Sequence, residues 1–163
     1  MSFSGDKLLG GQQAGIITGD AELVARTRKN PLFRALRVDK VVVKRLAETL
    51  IDLIFAKYDQ IPALKMLRMS AEEIRMRAEK FRERVPSVEI IEGRSVAGGG
   101  STPDQTLPTW LLAVSGDVVQ IEKKLRAQNI IARIENDRVV LDLRTVFPEE
   151  EDQLVRVLRL PAC

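Results

Sequence analysis

Lys7 lies in the stretch MSFSGDKLLGGQQAGIITGD, with Ser4 and Gly5 before it and Gly10 and Gly11 after it. A lysine amine forms a Schiff base with an aldehyde only when neutral, which calls for a partly buried, charge-tuned site. A turn between two strands, flanked by glycines, would let a flat cofactor approach the backbone. Spacing alone favours a plainer reading, a surface lysine in a turn. A second group is Arg34 and Arg37 in NPLFRALRVDK. On a helical turn, residues three apart can converge on one oxyanion, and each guanidinium offers a fork of donors suited to phosphate-like anions. The same pair also suits surface arginines bonded to Asp39 or to neighbouring carboxylates. The third stretch, Gly98-Gly99-Gly100-Ser101-Thr102, is glycine-rich but lacks the lysine of a phosphate-binding loop, and the chain has no GxGxxG fingerprint. A flexible connection is the better account of it.

Composition removes several chemistries. The chain contains no histidine, so Ser-His and Cys-His catalysis and most zinc sites are excluded, and no metal site is expected. The single Cys163 has no partner for an internal disulfide. It reads as an inert tail residue and fits a reducing cytoplasm. With 26 basic and 23 acidic residues the net charge is +3, weak support for a nucleic-acid partner. A content of 45% hydrophobic and 30% charged residues fits a folded core, and 163 residues suffice for one domain or two small ones. No run approaches the length of a membrane span, and no secretory signal opens the chain.

The elements that position these groups follow from caps and periodicity. Gln13–Thr18 reads as a short buried strand. Asp20 caps a helix to about Lys29, and Asn30-Pro31 ends it. A long helix is predicted from Asp39 to about Lys57, with Val43, Leu46, Leu50 and Leu53/Ile54 as its apolar stripe. After a break at Tyr58–Pro62, Ser70-Ala71-Glu72-Glu73 forms a capping box. The helix it opens carries Ile74, Ala78, Phe81 and Val85 inward, with Arg75, Arg77, Arg82 and Arg84 on a solvated face. An RNA contact is the less favoured use of those arginines. Strands are predicted at Val88–Glu92 and Thr109–Val114, then a helix from about Asp117 to Gln128. A hairpin of Ile130–Glu135 and Arg138–Arg144 turns at Asn136-Asp137. A final helix follows Pro148, with Leu154, Val157 and Leu158 inward. From Ser87 onward the pattern is that of an antiparallel sheet with helices on one face.

The stretches SFSGDKLLGGQQAGII, NPLFRALRVDK, IPALKMLR, VEIIEGRSVAGGGSTPDQTLPTW and RIENDRVVLDLRTVFPEEE occur in that order. Together they resemble the bacterial L-seryl-tRNA(Sec) selenium transferases, the selenocysteine synthases, over nearly the whole chain. Gln12 departs from the proline common there, which alters a turn and no catalytic group. Members of the family are longer, and the resemblance is to their C-terminal portion. It implies an α/β chain. Residues 1–38 would be the end of a fold-type-I (aspartate-aminotransferase-like) pyridoxal-phosphate domain, 39–86 linking helices and 87–163 an α+β small domain.

The resemblance also assigns roles. Lys7 matches the lysine that carries pyridoxal 5′-phosphate, Arg34 and Arg37 match arginines for the anionic selenium donor, and Gly10 and Gly11 lie where fold-type-I enzymes often bring a loop near the cofactor phosphate of a neighbouring subunit. The implied substrates are seryl-tRNA(Sec) and selenophosphate, in a cytoplasmic homo-oligomer built from dimers. Seryl-tRNA would displace Lys7, the freed amine would remove the Cα proton, and selenium would replace the serine hydroxyl at the β-carbon. The carboxylate and stacking group expected around the pyridine ring are not found in this chain. On its own, therefore, the chain is expected to be inactive and to bind the cofactor poorly. Two alternatives remain open. One is a related pyridoxal-phosphate lyase acting on a sugar acid, and the other is a non-catalytic module for assembly or RNA contact.

Overall fold

The computed structural model describes residues 1–98 and 105–159. Among them are seven α-helices and two antiparallel sheets, in two compact units, Met1–Met66 and Leu67–Cys163.

In the first unit, β1 (Ser2–Ser4) pairs with β2 (Gly15–Ile17), Phe3 opposite Ile16. The strand predicted at 13–18 is thus shorter than expected, and it is not buried: Ile17 is exposed, Ile16 is half-buried, and Ala14 just before the strand is buried. A two-stranded ribbon has too little area to bury its own faces. Asp20 caps α1 (Ala21–Lys29), its Oδ1 accepting the N–H groups of Glu22 and Leu23 at 3.0 Å each. Asn30 leaves the helix with ψ of 133° and caps α2 (Pro31–Leu36) in turn, accepting from Leu32 N–H at 2.9 Å. Pro31 takes the first position of α2, where no donor is needed. Asp39 starts α3 (Lys40–Ile54) by accepting from Val42 N–H at 2.9 Å.

The predicted stripe of α3 needs correction. Val43 and Ile54 are 54% and 78% exposed, while Val42, Leu46, Leu50 and Leu53 are half-buried. One residue turns the helix by about 100°, so Val42, four before Leu46, joins the face of Leu46, Leu50 and Leu53, while Val43 and Ile54 fall beside it. A 3-10 turn at Tyr58–Gln60 leads into α4 (Pro62–Arg68), a helix in IPALKMLR that the sequence reading did not assign.

The second unit begins with α5 (Ala71–Arg84) and its capping box: Ser70 Oγ accepts from Glu73 N–H at 3.2 Å, and Glu73 Oε2 accepts from Ser70 N–H at 2.7 Å. Ile74, Ala78, Phe81 and Val85 are all buried, as predicted. β3 (Val88–Val96) and β4 (Thr106–Val114) pair along their whole lengths, from Val88↔Val114 to Val96↔Thr106. Both run further than predicted, because the polar ends read as loop still carry the ladder. Asp117 caps α6 (Val118–Arg126) through the N–H groups of Val119 and Gln120. β5 (Arg133–Glu135) and β6 (Arg138–Asp142) form the predicted hairpin. Asn136 and Asp137 have φ of 49° and 56°, the left-handed pair that a tight two-residue hairpin turn requires. The sheet order is β3-β4-β6-β5. After 3-10 turns at Leu143–Thr145 and Pro148–Glu150 comes α7 (Glu151–Arg159).

The core packs Ile74, Ala78 and Phe81 of α5, Ile121 and Leu125 of α6, and Leu154, Val155 and Val157 of α7 onto Leu112, Val139 and Leu141 of the sheet. The helices therefore lie on one face, the layered arrangement the pattern pointed to. Of the segment 39–86, α3 falls in the first unit and α5 builds the core of the second.

Three arginines predicted as solvated have partners within the second unit. Arg77 donates to Leu143 O at 2.8 Å and to Val146 O at 3.0 Å, and pairs with Glu151 at 2.5 Å. Arg84 pairs with Asp152 at 2.5 Å, and Arg75 lies 4.9 Å from the centre of the Trp110 ring. These contacts fasten α5 to the segment leading into α7 and to β4, which leaves less of that face for RNA.

Candidate active site

The β1–β2 connection is fixed by its own backbone. Gly5 N–H donates to Ala14 O at 2.8 Å, extending the ladder past the strand ends. Gly11 N–H donates to Gly5 O at 2.8 Å, and Gly10 N–H to Lys7 O at 2.9 Å. Gly10 has φ of +73°, and a Cβ there would meet Ile61 Cγ2 at 2.5 Å. A Cβ on Gly5 would come within 2.5 Å of Gln12 O, so this turn closes only with glycine at both places. The amides of Gly10 and Gly11 are thus spent on the turn itself. What those glycines secure is its shape.

On this turn Lys7 projects outward, its side chain 59% exposed, with Nζ 2.6 Å from Asp6 Oδ2. The other Asp6 oxygen accepts the Ser4 hydroxyl. The hydrogen bond from Lys7, and then that from Ser4, hold the Asp6 carboxyl at about 2, below its ordinary 3.8. A depressed carboxyl stabilises the fold above its ordinary value, and the contribution is lost as pH falls through the folded value. The Asp6–Lys7 pair is therefore expected to stay formed below the ordinary carboxyl value and to open with a midpoint at about 2, which a carbon-13 titration of the Asp6 carboxyl would show. Asp6 and Ser4 were not among the residues singled out by sequence. The available signal was an acid directly beside the candidate lysine.

Arg34 lies on α2, and Arg37 is its C-cap. Arg37 keeps a helical φ of −65° while ψ of 125° turns the following chain away. Since φ sets the direction of Cβ, both side chains still leave from one face, a turn apart. Both are exposed, and among the described residues neither has a carboxylate partner. Asp39, a partner considered for them, instead caps α3. No hydrogen bond or ion pair among the described residues joins Lys7 to either arginine, so the structure presents an amine on the β1–β2 turn and a cation pair on α2. Of the glycine-rich stretch, Gly99, Gly100, Ser101 and Thr102 lie outside the described residues, as does Cys163. Among the described residues no acidic, histidine or cysteine cluster could hold a metal ion, and no helix is long and apolar enough to cross a membrane.

The turn offers an accessible primary amine on a backbone whose course is fixed; at 59% exposed and paired with Asp6, that amine has the placement of a surface lysine in a turn and lacks the partial burial expected of a Schiff-base site. Comparison with known proteins bears on the family to which the turn belongs. The family described as L-seryl-tRNA selenium transferase matches residues 1–147. A protein of Wolinella succinogenes named L-seryl-tRNA(Sec) selenium transferase is 44% identical over 97% of this chain and 37% of its own length. Proteins of the same name from Sulfurimonas denitrificans and Aliarcobacter butzleri are 42% and 41% identical, each over 98% of this chain and 37% of their own length. The chain thus spans little more than a third of the relatives it matches. With that extent of agreement, it belongs to the L-seryl-tRNA selenium transferase family.

Proposed function

We propose that this chain supplies the cofactor-carrying lysine and the selenium-donor arginines of an enzyme that converts seryl-tRNA(Sec) to selenocysteinyl-tRNA(Sec), a cytoplasmic reaction on a tRNA. The observation that carries the reading is Lys7, an accessible amine fixed on the β1–β2 turn in a chain that matches the family from its first residue to residue 147. Pyridoxal 5′-phosphate, carried on Lys7 Nζ, would serve as the electron sink for elimination of the serine hydroxyl. Gly10 and Gly11 keep the turn closed, so that a flat ring can lie against it. Lys7, once free, is the base that takes the Cα proton. Arg34 and Arg37 hold selenophosphate, their fixed positive charge balancing the anion as selenium is delivered.

In this reading residues 1–38 are the end of a fold-type-I cofactor domain, 39–86 link it onward, and 87–163 form the small domain. Support comes from the open apolar side chains of the first unit, among them Leu32, Leu36, Ile51 and Phe55. They suit a segment packed within a larger, dimer-based homo-oligomer. The test is a chimera in which this chain replaces the matching region of the Wolinella succinogenes relative. Given seryl-tRNA(Sec), selenophosphate and pyridoxal phosphate, it is expected to form selenocysteinyl-tRNA(Sec). A folded chimera that carries the cofactor yet leaves seryl-tRNA(Sec) unchanged, alongside an active parent, would refute the assignment.

A further inference from the structure

We propose that Asp6 is the positioning residue of the Lys7 amine: Ser4 fixes one carboxylate oxygen, and the other holds the ε-ammonium whenever Lys7 is not carrying the cofactor. The inference rests on the reading of Lys7 as the cofactor lysine and adds a role for the two residues ahead of it. Adjacent side chains on an extended strand point to opposite faces. Here the bend at Gly5, tied to Ala14 O and Gly11 N–H, brings Asp6 and Lys7 to the same side. The Asp6 side chain is 21% exposed against 59% for Lys7 and also accepts the Ser4 hydroxyl, so the carboxylate is the more enclosed and more tied partner.

An amine that leaves a cofactor and then takes a proton becomes an ammonium on a flexible four-carbon stem. Without a fixed acceptor it would sweep through solvent between turnovers. Asp6 gives it one docking point at 2.6 Å, adjacent to the position where it acts. The proton taken from the substrate carbon stays on nitrogen, since the Asp6 carboxyl, held at about 2 by Lys7 and Ser4, does not take it up near neutrality. Asp6 is therefore a holder of the ammonium and exchanges no proton with it.

The test uses acetic anhydride as a small amine probe on this chain at neutral pH, with exposed Lys29 as internal reference and peptide mapping as readout. Asp6→Asn is expected to speed acylation of Lys7 relative to Lys29 by about two- to five-fold, the range an exposed ion pair allows. Asp6→Glu should restore much of the slow rate, and Ser4→Ala should fall between. An unchanged Lys7-to-Lys29 ratio in Asp6→Asn would overturn the proposal. If that variant disturbs the turn, a second measurement keeps Asp6 in place: in Lys7→Gln the Asp6 carboxyl midpoint should rise from about 2. A midpoint that stays there would equally overturn it. Pyridoxal phosphate followed by borohydride separates the two readings. Absence of a Lys7 adduct in the chimera would defeat the cofactor role, while the acylation ratio and the midpoint still decide whether Asp6 holds the amine.

Discussion

Converting both Arg34 and Arg37 to alanine in the chimera is expected to slow selenium transfer by about 10²-fold or more, the scale at which a fixed donor to developing charge matters. Attachment of pyridoxal phosphate to Lys7 should be unaffected. The separation follows from placement. The arginines share one face of α2 and its C-cap, Lys7 sits on the β1–β2 turn, and no bond among the described residues ties one group to the other. Among the described residues neither guanidinium is neutralised by a carboxylate, so the double variant removes charge available to an anion and breaks no ion pair seen there. Selenocysteinyl-tRNA formation and borohydride-trapped cofactor, measured on the same preparation, decide the matter. Equal loss of both would remove the arginines from the donor site and make them part of the cofactor's own.

Arg144→Ala is expected to destabilise the second unit by about 3–5 kcal/mol, the range for removing one partner of a buried charged network. Arg144 is only 3% exposed. It donates to Ser95 Oγ at 2.8 Å, to Met69 O at 2.6 Å and to Pro108 O at 2.8 Å. Asp142 accepts Ser95 Oγ at 2.5 Å, Thr109 Oγ1 at 3.0 Å and Arg144 N–H at 3.0 Å. Deleting the guanidinium would orphan two carbonyl groups and leave Asp142 without its compensating charge, costs that a cavity the size of an arginine would increase. Urea unfolding followed by the fluorescence of the single Trp110, in β4, reports on this unit. A loss below about 1 kcal/mol would mean that water replaces the arginine without penalty.

The two networks also show which features a sequence can reveal. Helix starts were legible because a cap acts within three residues of itself: Asp20 and Ser70 meet their amides as expected, and the helices read from Asp39 and Asp117 prove to be capped by those residues. The Asn136-Asp137 hairpin was legible for the same local reason. Arg144 was not, since its carbonyl partners are 36 and 75 residues away in the chain, and a buried arginine has the same letter as a solvated one. Arg77 was misread as solvated because its partners, Leu143, Val146 and Glu151, enter from the far end of the second unit. The α3 stripe failed by one residue. A run of three valines at 41–43 leaves the inward face undefined until Leu46, Leu50 and Leu53 set it.

For the site, the local part was readable and the long-range part was not. SGDK between glycines indicates a turn. That Gly10 must be glycine depends on Ile61, and that Gly5 must be depends on Gln12 O. The pairing of Asp6 with both neighbours depends on the bend those contacts impose.

The central claim is that Lys7 carries the cofactor. Incubating the chimera with pyridoxal phosphate, reducing with borohydride and mapping the peptides tests it directly. The expected result is one adduct per chain on Lys7, absent in Lys7→Ala. An adduct that persists in Lys7→Ala, or that maps to other lysines while Lys7 stays unmodified, would contradict the account.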